Sequence, residues 1–170
     1  CSVAALNLAF DDRALVEFDS NFKVLPPLRS HEDIEALKQG LKDGTIDLLG
    51  SNHVPLEEEA KKLEFPYADF GAIGLETTYA LVNTHLEGVL SQTELVEKLA
   101  INPRRIFNLE EITVREGAKA NLTVFHPHQT WTFERSHIFP KSGNSPLLGK
   151  RLKGKVIGVV NNGSAFINPH

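Results

Sequence analysis

"GTIDLLGSNHVPLEEEAKK", residues 44–62, is the stretch on which the fold turns. Gly44 opens a short apolar run, Thr45 to Gly50, and the polar cluster Ser51-Asn52-His53 closes it. In parallel α/β sheets and barrels, the C-terminal end of a strand is where reacting groups are placed. A carboxylate at position 52 would serve as a metal ligand or general base beside His53. The chain has an amide there, which takes up no proton and coordinates metal weakly. Glu57, Glu58 and Glu59 follow closely. Position alone leaves open whether this is a catalytic strand or a structural one.

Working upstream, "FDSNFKVLPPLRS" at 18–30 is an extended segment, because Pro26 and Pro27 exclude helix. Ser30 is the N-cap of the helix that follows, with Asp33 three residues on. Ile34, Leu37 and Leu41 share one face of that helix, and Gly44 stops it. Extended segment, helix and strand in succession make the repeating unit of a parallel α/β structure. Residues 2–10 read as a strand, or as a strand running into a loop.

Downstream, a long loop spans 52–73, of the kind that forms an active-site wall in barrels. "LETTYALVNTHLEG" at 75–88 reads as a helix with Leu75, Tyr79, Val82 and Leu86 on one stripe. Ser91 and Glu94 form a capping box with Leu90 and Leu95 as its staple, and that helix is expected to end at Asn102-Pro103, "RRIFNL" adding about a turn. From residue 110 the texture becomes β-branched and rich in Gly, Pro and Asn, and "VNNGSAFI" carries a hairpin signal. The chain therefore divides into an α/β part, 1–109, and a β-rich module, 110–170.

The bulk numbers narrow the function. A chain of 170 residues with net charge −4 has no basic footprint for nucleic acid, and "GKRLKGK" at 149–155 reads as a solvated loop before a strand. The lone Cys1 excludes an internal disulfide and fits a reducing compartment. No apolar stretch reaches membrane-spanning length, so the expectation is a soluble cytoplasmic protein. The chain lacks Met and starts within a strand-like run, which predicts that it is a piece of a longer polypeptide.

Seven histidines are available for a metal. His126-Pro127-His128 has a chelating spacing, but its middle Pro and the lack of nearby ligands favour a surface turn where a strand ends. His31, His85 and His170 are expected to be solvated. No metal is expected to bind within these residues. There is no Gly-x-Ser-x-Gly elbow, Cys1 has no evident base, and the Gly-rich pieces match neither phosphate-loop template.

Taken together, "FDSNFKVLPPLRS", "ALKQGLKDGTIDLLGSNHVP", "DFGAIGLETTYALV", "LVEKLAINPRRIFNL" and "SGNSPLLGKRLKGKVIGVVNNG" resemble, in order and spacing, the C-terminal part of class I dihydroorotases, of the cyclic amidohydrolase superfamily. The resemblance implies the last strands and helices of a metal-dependent (β/α)8 barrel, followed by the C-terminal share of a β-sandwich. It implies the reversible cyclisation of N-carbamoyl-aspartate to dihydroorotate in pyrimidine biosynthesis, with zinc as the family's cofactor. A barrel needs about 250 residues, so the remaining ligands would lie outside this chain.

The departures from the family pattern fall on the site. Where the family's eighth strand ends Asp-His-Ala-Pro-His, this chain reads Asn52-His53-Val54-Pro55-Leu56. The resemblance makes position 52 the metal-binding general base, and positions 25 and 56 substrate contacts, here Leu25 and Leu56. The family's Pro-His-His is Ala5-Leu6-Asn7, and its Pro before Phe-Gly is Asp69, whereas His53, Phe70 and Gly71 match. This pattern implies a degenerate, inactive copy with a structural or regulatory role and aspartate transcarbamoylase as partner. The alternative is a working cyclic amidohydrolase of dihydroorotase, hydantoinase or allantoinase type whose remaining site lies upstream. Open strand edges and apolar faces at Leu37, Leu41, Leu48 and Leu49 predict a homo-oligomer joined through residues 1–50.

Overall fold

The computed structural model describes residues 1–168, so the expectation for His170 lies outside the described residues. Strand β1, Ser2–Ala4, pairs in parallel with β2, Leu48–Gly50, with Val3 opposite Leu49. Between them runs helix α1, His31–Asp43. The Ser30 hydroxyl accepts from Asp33 N and the Asp33 carboxylate accepts from Ser30 N, a complete capping box, while Gly44 ends the helix at φ 85°, where a side chain would strain the backbone. Ile34 and Leu41 are buried and Leu37 half-buried, as their spacing requires.

The strands are shorter and the connections more structured than the sequence implies. The 45–50 run is a strand only over its last three residues. Beyond β1 the chain turns at once into a 3-10 helix, Ala5–Leu8, and the 18–30 segment includes a 3-10 turn at Ser20–Phe22. The 52–73 loop contains the short helix α2, Glu58–Lys61.

Helix α3 covers Thr78–His85, not the whole of 75–88. Leu75 is exposed outside it, while Val82 and Leu86 enter the core. His85 is half-buried, and burial, aided by the charge of Lys38, holds its imidazole below the ordinary histidine range. It is not the solvated residue expected.

Helix α4, Gln92–Val96, starts at the Ser91/Glu94 capping box, with Leu90 and Leu95 buried on either side. It does not stop at Asn102-Pro103. A π-helical turn, Glu97–Ile101, leads directly into α5, Asn102–Ile106, so the helix passes through Pro103, which has no N–H to donate to the turn before it, and "RRIFNL" adds its turn as expected. The π turn coincides with two anchors: Lys98 Nζ donates to Ile46 O (2.7 Å) and Asn102 Nδ2 donates to Asp47 O (2.9 Å), both just before β2.

Residues 110–121 form no regular element. Then β3, Leu122–Thr132, β4, Arg151–Asn161, and β5, Ser164–Ile167, make an antiparallel sheet in the order β3-β4-β5. Asn162 (φ 48°) and Gly163 (φ 78°) turn β4 into β5, the two-residue hairpin the sequence signals. "GKRLKGK" enters β4 from Arg151 onward, so most of it is strand. His126-Pro127-His128 sits inside β3 at a register shift and does not end the strand. Nδ1 of His126 accepts from the backbone N of His128 and of Gln129 (both 3.2 Å), which removes it as a metal donor.

The sheet is docked on α3. Asn83 Nδ2 donates to Pro127 O and Lys153 O (2.9 Å each), and Thr84 Oγ1 accepts from Lys153 N (2.8 Å). Phe133, Leu147 and Leu152 share one core with Val3, Leu41, Leu49, Leu81, Val82, Leu86 and Leu95. Leu41 and Leu49 are thus buried within the chain and offer no uncovered face for self-association.

Candidate functional site

The parallel pair β1-β2 sends both chains out at the same end, and the candidate residues gather there. Asn52 leaves β2 at φ 47°, in the left-handed region that Asn tolerates better than most residues. Its Nδ2 donates to the backbone O of Leu25 (3.0 Å). The amide at position 52 is therefore tied to the main chain of the segment before the paired prolines. On the β1 side, buried Asn7 donates from Nδ2 to Pro26 O (3.1 Å) and Pro27 O (3.0 Å). Two asparagines thus clamp residues 25–27 across the strand ends.

His53 faces the other way. It bridges Ala72 in parallel register, Val54 N donates to Ala72 O (2.9 Å), and Nδ1 of His53 accepts from Gly74 N (3.1 Å) and Leu75 N (3.3 Å). With Nδ1 accepting, a neutral ring carries its hydrogen on Nε2.

Gly71 and Gly74 are required by close approach. A Cβ on Gly71 (φ 152°) would lie 2.7 Å from Val54 Cγ1 and 3.1 Å from Leu56 Cδ1, and one on Gly74 would lie 2.6 Å from Ser51 O. Leu56 therefore packs against Gly71, whereas Leu25 stays exposed. Phe70 is half-exposed under the Lys23 ammonium, 4.7 Å from ring centre to Nζ.

Lys61 lies in the charge run the sequence offers as loop, yet it is buried, with Nζ donating to Asp69 O (2.8 Å) and Lys23 O (3.4 Å). Burial, and then the neighbouring Lys23 charge, lower its pKa. Asn144 is also buried, bonded to both 52–56 and 71–73. It lies within "SGNSPLLGKRLKGKV", but nothing local in those letters marks it.

The structure brings 25, 52, 53, 56 and 71 into one assembly and leaves Phe70 at its margin. The cavity at the strand ends holds about 10 Å³, room for one water. Its walls, which include Leu6, Val24, Asn52 and Thr77, carry no carboxylate. Glu57, Glu58 and Glu59 line a separate open cleft of about 590 Å³ beside Lys61, Lys62 and Arg135. The assembly can hold a backbone shape, but it offers no acceptor for a water's proton at position 52.

Known proteins match this geometry and sequence. A dihydroorotase of Syntrophus aciditrophicus (strain SB) is 44% identical over 147 residues, 86% of this chain and 34% of that one. A dihydroorotase of Geobacter metallireducens is 41% identical over 155 residues, 91% of this chain and 37% of that one. The chain belongs to the dihydroorotase family. It spans about a third of the length of these curated dihydroorotases. No family model matches it.

Among solved structures, the L-hydantoinase of Arthrobacter aurescens superposes with a TM-score of 0.87 at 26% identity, over 99% of this chain and 39% of that one. The inactive dihydroorotase-like domain of the Chaetomium thermophilum CAD-like multifunctional protein superposes with a TM-score of 0.66 at 23% identity, over 100% of this chain and 45% of that one, a likeness of fold. The expected architecture, the last part of an amidohydrolase barrel with a β-rich portion, holds.

Dihydroorotases and hydantoinases are metal-dependent amidohydrolases. The residues of this chain do not fit that metal. Among the described residues no three His, Cys, Asp or Glu side chains converge, and the group at position 52 is an amide whose nitrogen points at a carbonyl. None of the described helices is long and apolar enough to cross a membrane.

Proposed function

We propose that this chain is the segment of a dihydroorotase-like protein of pyrimidine biosynthesis in which the catalytic groups have been lost and the scaffold kept, leaving a structural or regulatory role. The observation that carries the reading is the Asn52 amide at the C-terminal end of β2, hydrogen-bonded to Leu25 O where the family's reaction needs a base. General base catalysis is worth about 10²–10⁴-fold. Substituting this chain for the matching third of the Syntrophus aciditrophicus dihydroorotase tests it. The chimera should cyclise N-carbamoyl-aspartate at least about 10²-fold more slowly than the parent. A second chimera that restores every departure, Asn52→Asp, Leu25→Asn, Leu56→His, Asp69→Pro and the family's Pro-His-His in place of Ala5-Leu6-Asn7, should regain turnover, which shows that the graft folds. Near-parent rates in the unsubstituted chimera would instead establish a working amidohydrolase that moves its proton through another group.

A scaffolding role places aspartate transcarbamoylase as partner and a second copy of the chain as neighbour. The outer edges of β1 and β2 support self-association, since neither pairs with a further strand among the described residues. Light scattering of the chain alone and mixed with aspartate transcarbamoylase should give masses above the monomer and above either component. Independent elution of a monomer and an unaltered enzyme counts against both.

A further inference from the structure

We propose that Asn144 is the positioning residue of the candidate site, and that through it the β-rich part of the chain sets the orientation of His53. Asn144 is 6% exposed and stands 88 to 90 residues from the loop it touches. Its Nδ2 donates to Val54 O (2.9 Å) and Gly71 O (3.2 Å), and its Oδ1 accepts from Leu56 N (3.2 Å). Its own backbone O accepts from Ile73 N (2.9 Å). One residue thus joins both sides of the crossing between 52–56 and 70–74.

The direct bonds across that crossing are Val54 N to Ala72 O and the two N–H groups aimed at His53 Nδ1. The ring's acceptor role exists only while 52–56 keeps its register against 71–75. A carboxamide is suited to the junction, because it donates two hydrogen bonds and accepts at the same reach. A carboxylate would face two carbonyl oxygens, and an apolar group would strand Val54 O, Gly71 O and Leu56 N in a buried place. Asn144 is itself held firmly: Ser145 and Leu147 beside it are buried, Ser145 N donates to Gly143 O (2.9 Å), and Leu147 N donates to Ser145 Oγ (3.3 Å). Anchored in the core, it transmits the position of the 143–147 segment to the site loop.

This inference rests on reading 52–56 and 70–74 as the remnant of a dihydroorotase site, but its test reads loop geometry and not turnover, so it can fail while the chimera result stands. The probe is the uniformly 15N-labelled chain, observed at the His53 ring nitrogens and the Leu56 amide. Asn144→Ala should move the His53 signals from the Nε2–H tautomer toward a mixture and speed exchange at Leu56 N by about tenfold. Asn144→Ser, which keeps one donor, should shift both in the same direction by less. Trp131→Phe removes the Trp131 Nε1 to Gly154 O bond (2.9 Å) in the same sheet without touching the loop, and should leave both signals unchanged. Unaltered His53 signals in both Asn144 variants, or equal changes in Trp131→Phe, overturn the proposal.

Discussion

Replacing Asn52 by Asp alone should leave the grafted chain at least about 10²-fold below the parent dihydroorotase in N-carbamoyl-aspartate cyclisation. The backbone is no obstacle, since Asp also tolerates the left-handed conformation at φ 47°. The obstacle is the neighbour. The Asn52 amide donates to Leu25 O at 3.0 Å, and a carboxylate in the same rotamer would set two oxygens against each other. The side chain would have to swing away, and the clamp on residues 25–27 would lose one of its two asparagines. Beyond the base, Leu25 and Leu56 put apolar groups where the family contacts substrate. A substrate group left unpaired against an apolar side chain costs about 1–3 kcal/mol, so the missing contacts keep turnover down even with the base recovered. Steady-state assays of the single and fully restored chimeras decide it: near-parent turnover from Asn52→Asp alone would show that Leu25 and Leu56 stand outside the substrate's reach.

Local grammar was the legible part of this chain. Both capping boxes, the Gly44 stop and the Asn162-Gly163 hairpin depend on residues within a few positions of one another, and each stands where its letters place it. The extended-helix-strand order around residue 44 was legible for the same reason. Three kinds of feature were not. Helix continuation through Pro103 depends on a π turn pinned by Lys98 and Asn102 to residues 46 and 47, contacts more than 50 positions away. Leu75 matches the helical stripe by spacing, yet Gly74 packs on Ser51 O and the helix starts later, leaving Leu75 exposed. Lys61 lies in what reads as the 52–73 loop, but the main-chain carbonyls of Lys23 and Asp69 receive its ammonium and bury it. The candidate site divides in the same way. The strand end at 52–53 announces itself, whereas Asn144 acts wholly through distant backbone groups and has no local signature.

Phe133→Ala should destabilise the whole chain by about 3–5 kcal/mol, and both halves of the chain should report the loss together. Phe133 follows β3 with no exposed surface, its ring centre 6.0 Å from that of Trp131. Its N donates to Lys150 O (3.0 Å) and its O accepts from Gly149 N (2.8 Å), so the backbone cannot easily collapse into the space left by the ring. The ring belongs to the core that also contains Leu81, Val82, Leu86 and Leu95 from the helices. We propose that the change of texture near residue 110 marks where α/β gives way to β without dividing the chain into separately stable units. At about 2–4 °C per kcal/mol for a chain of this size, the midpoint of thermal unfolding should fall by roughly 6–20 °C. Two probes separate the possibilities. The lone Trp131 reports on the sheet by fluorescence, and far-UV circular dichroism reports chiefly on α1 and α3–α5. Coincident, equally lowered transitions are expected of a shared core. A fluorescence transition that moves alone, with the helical signal melting where it does in the unsubstituted chain, would mean that 1–109 folds without support from the sheet.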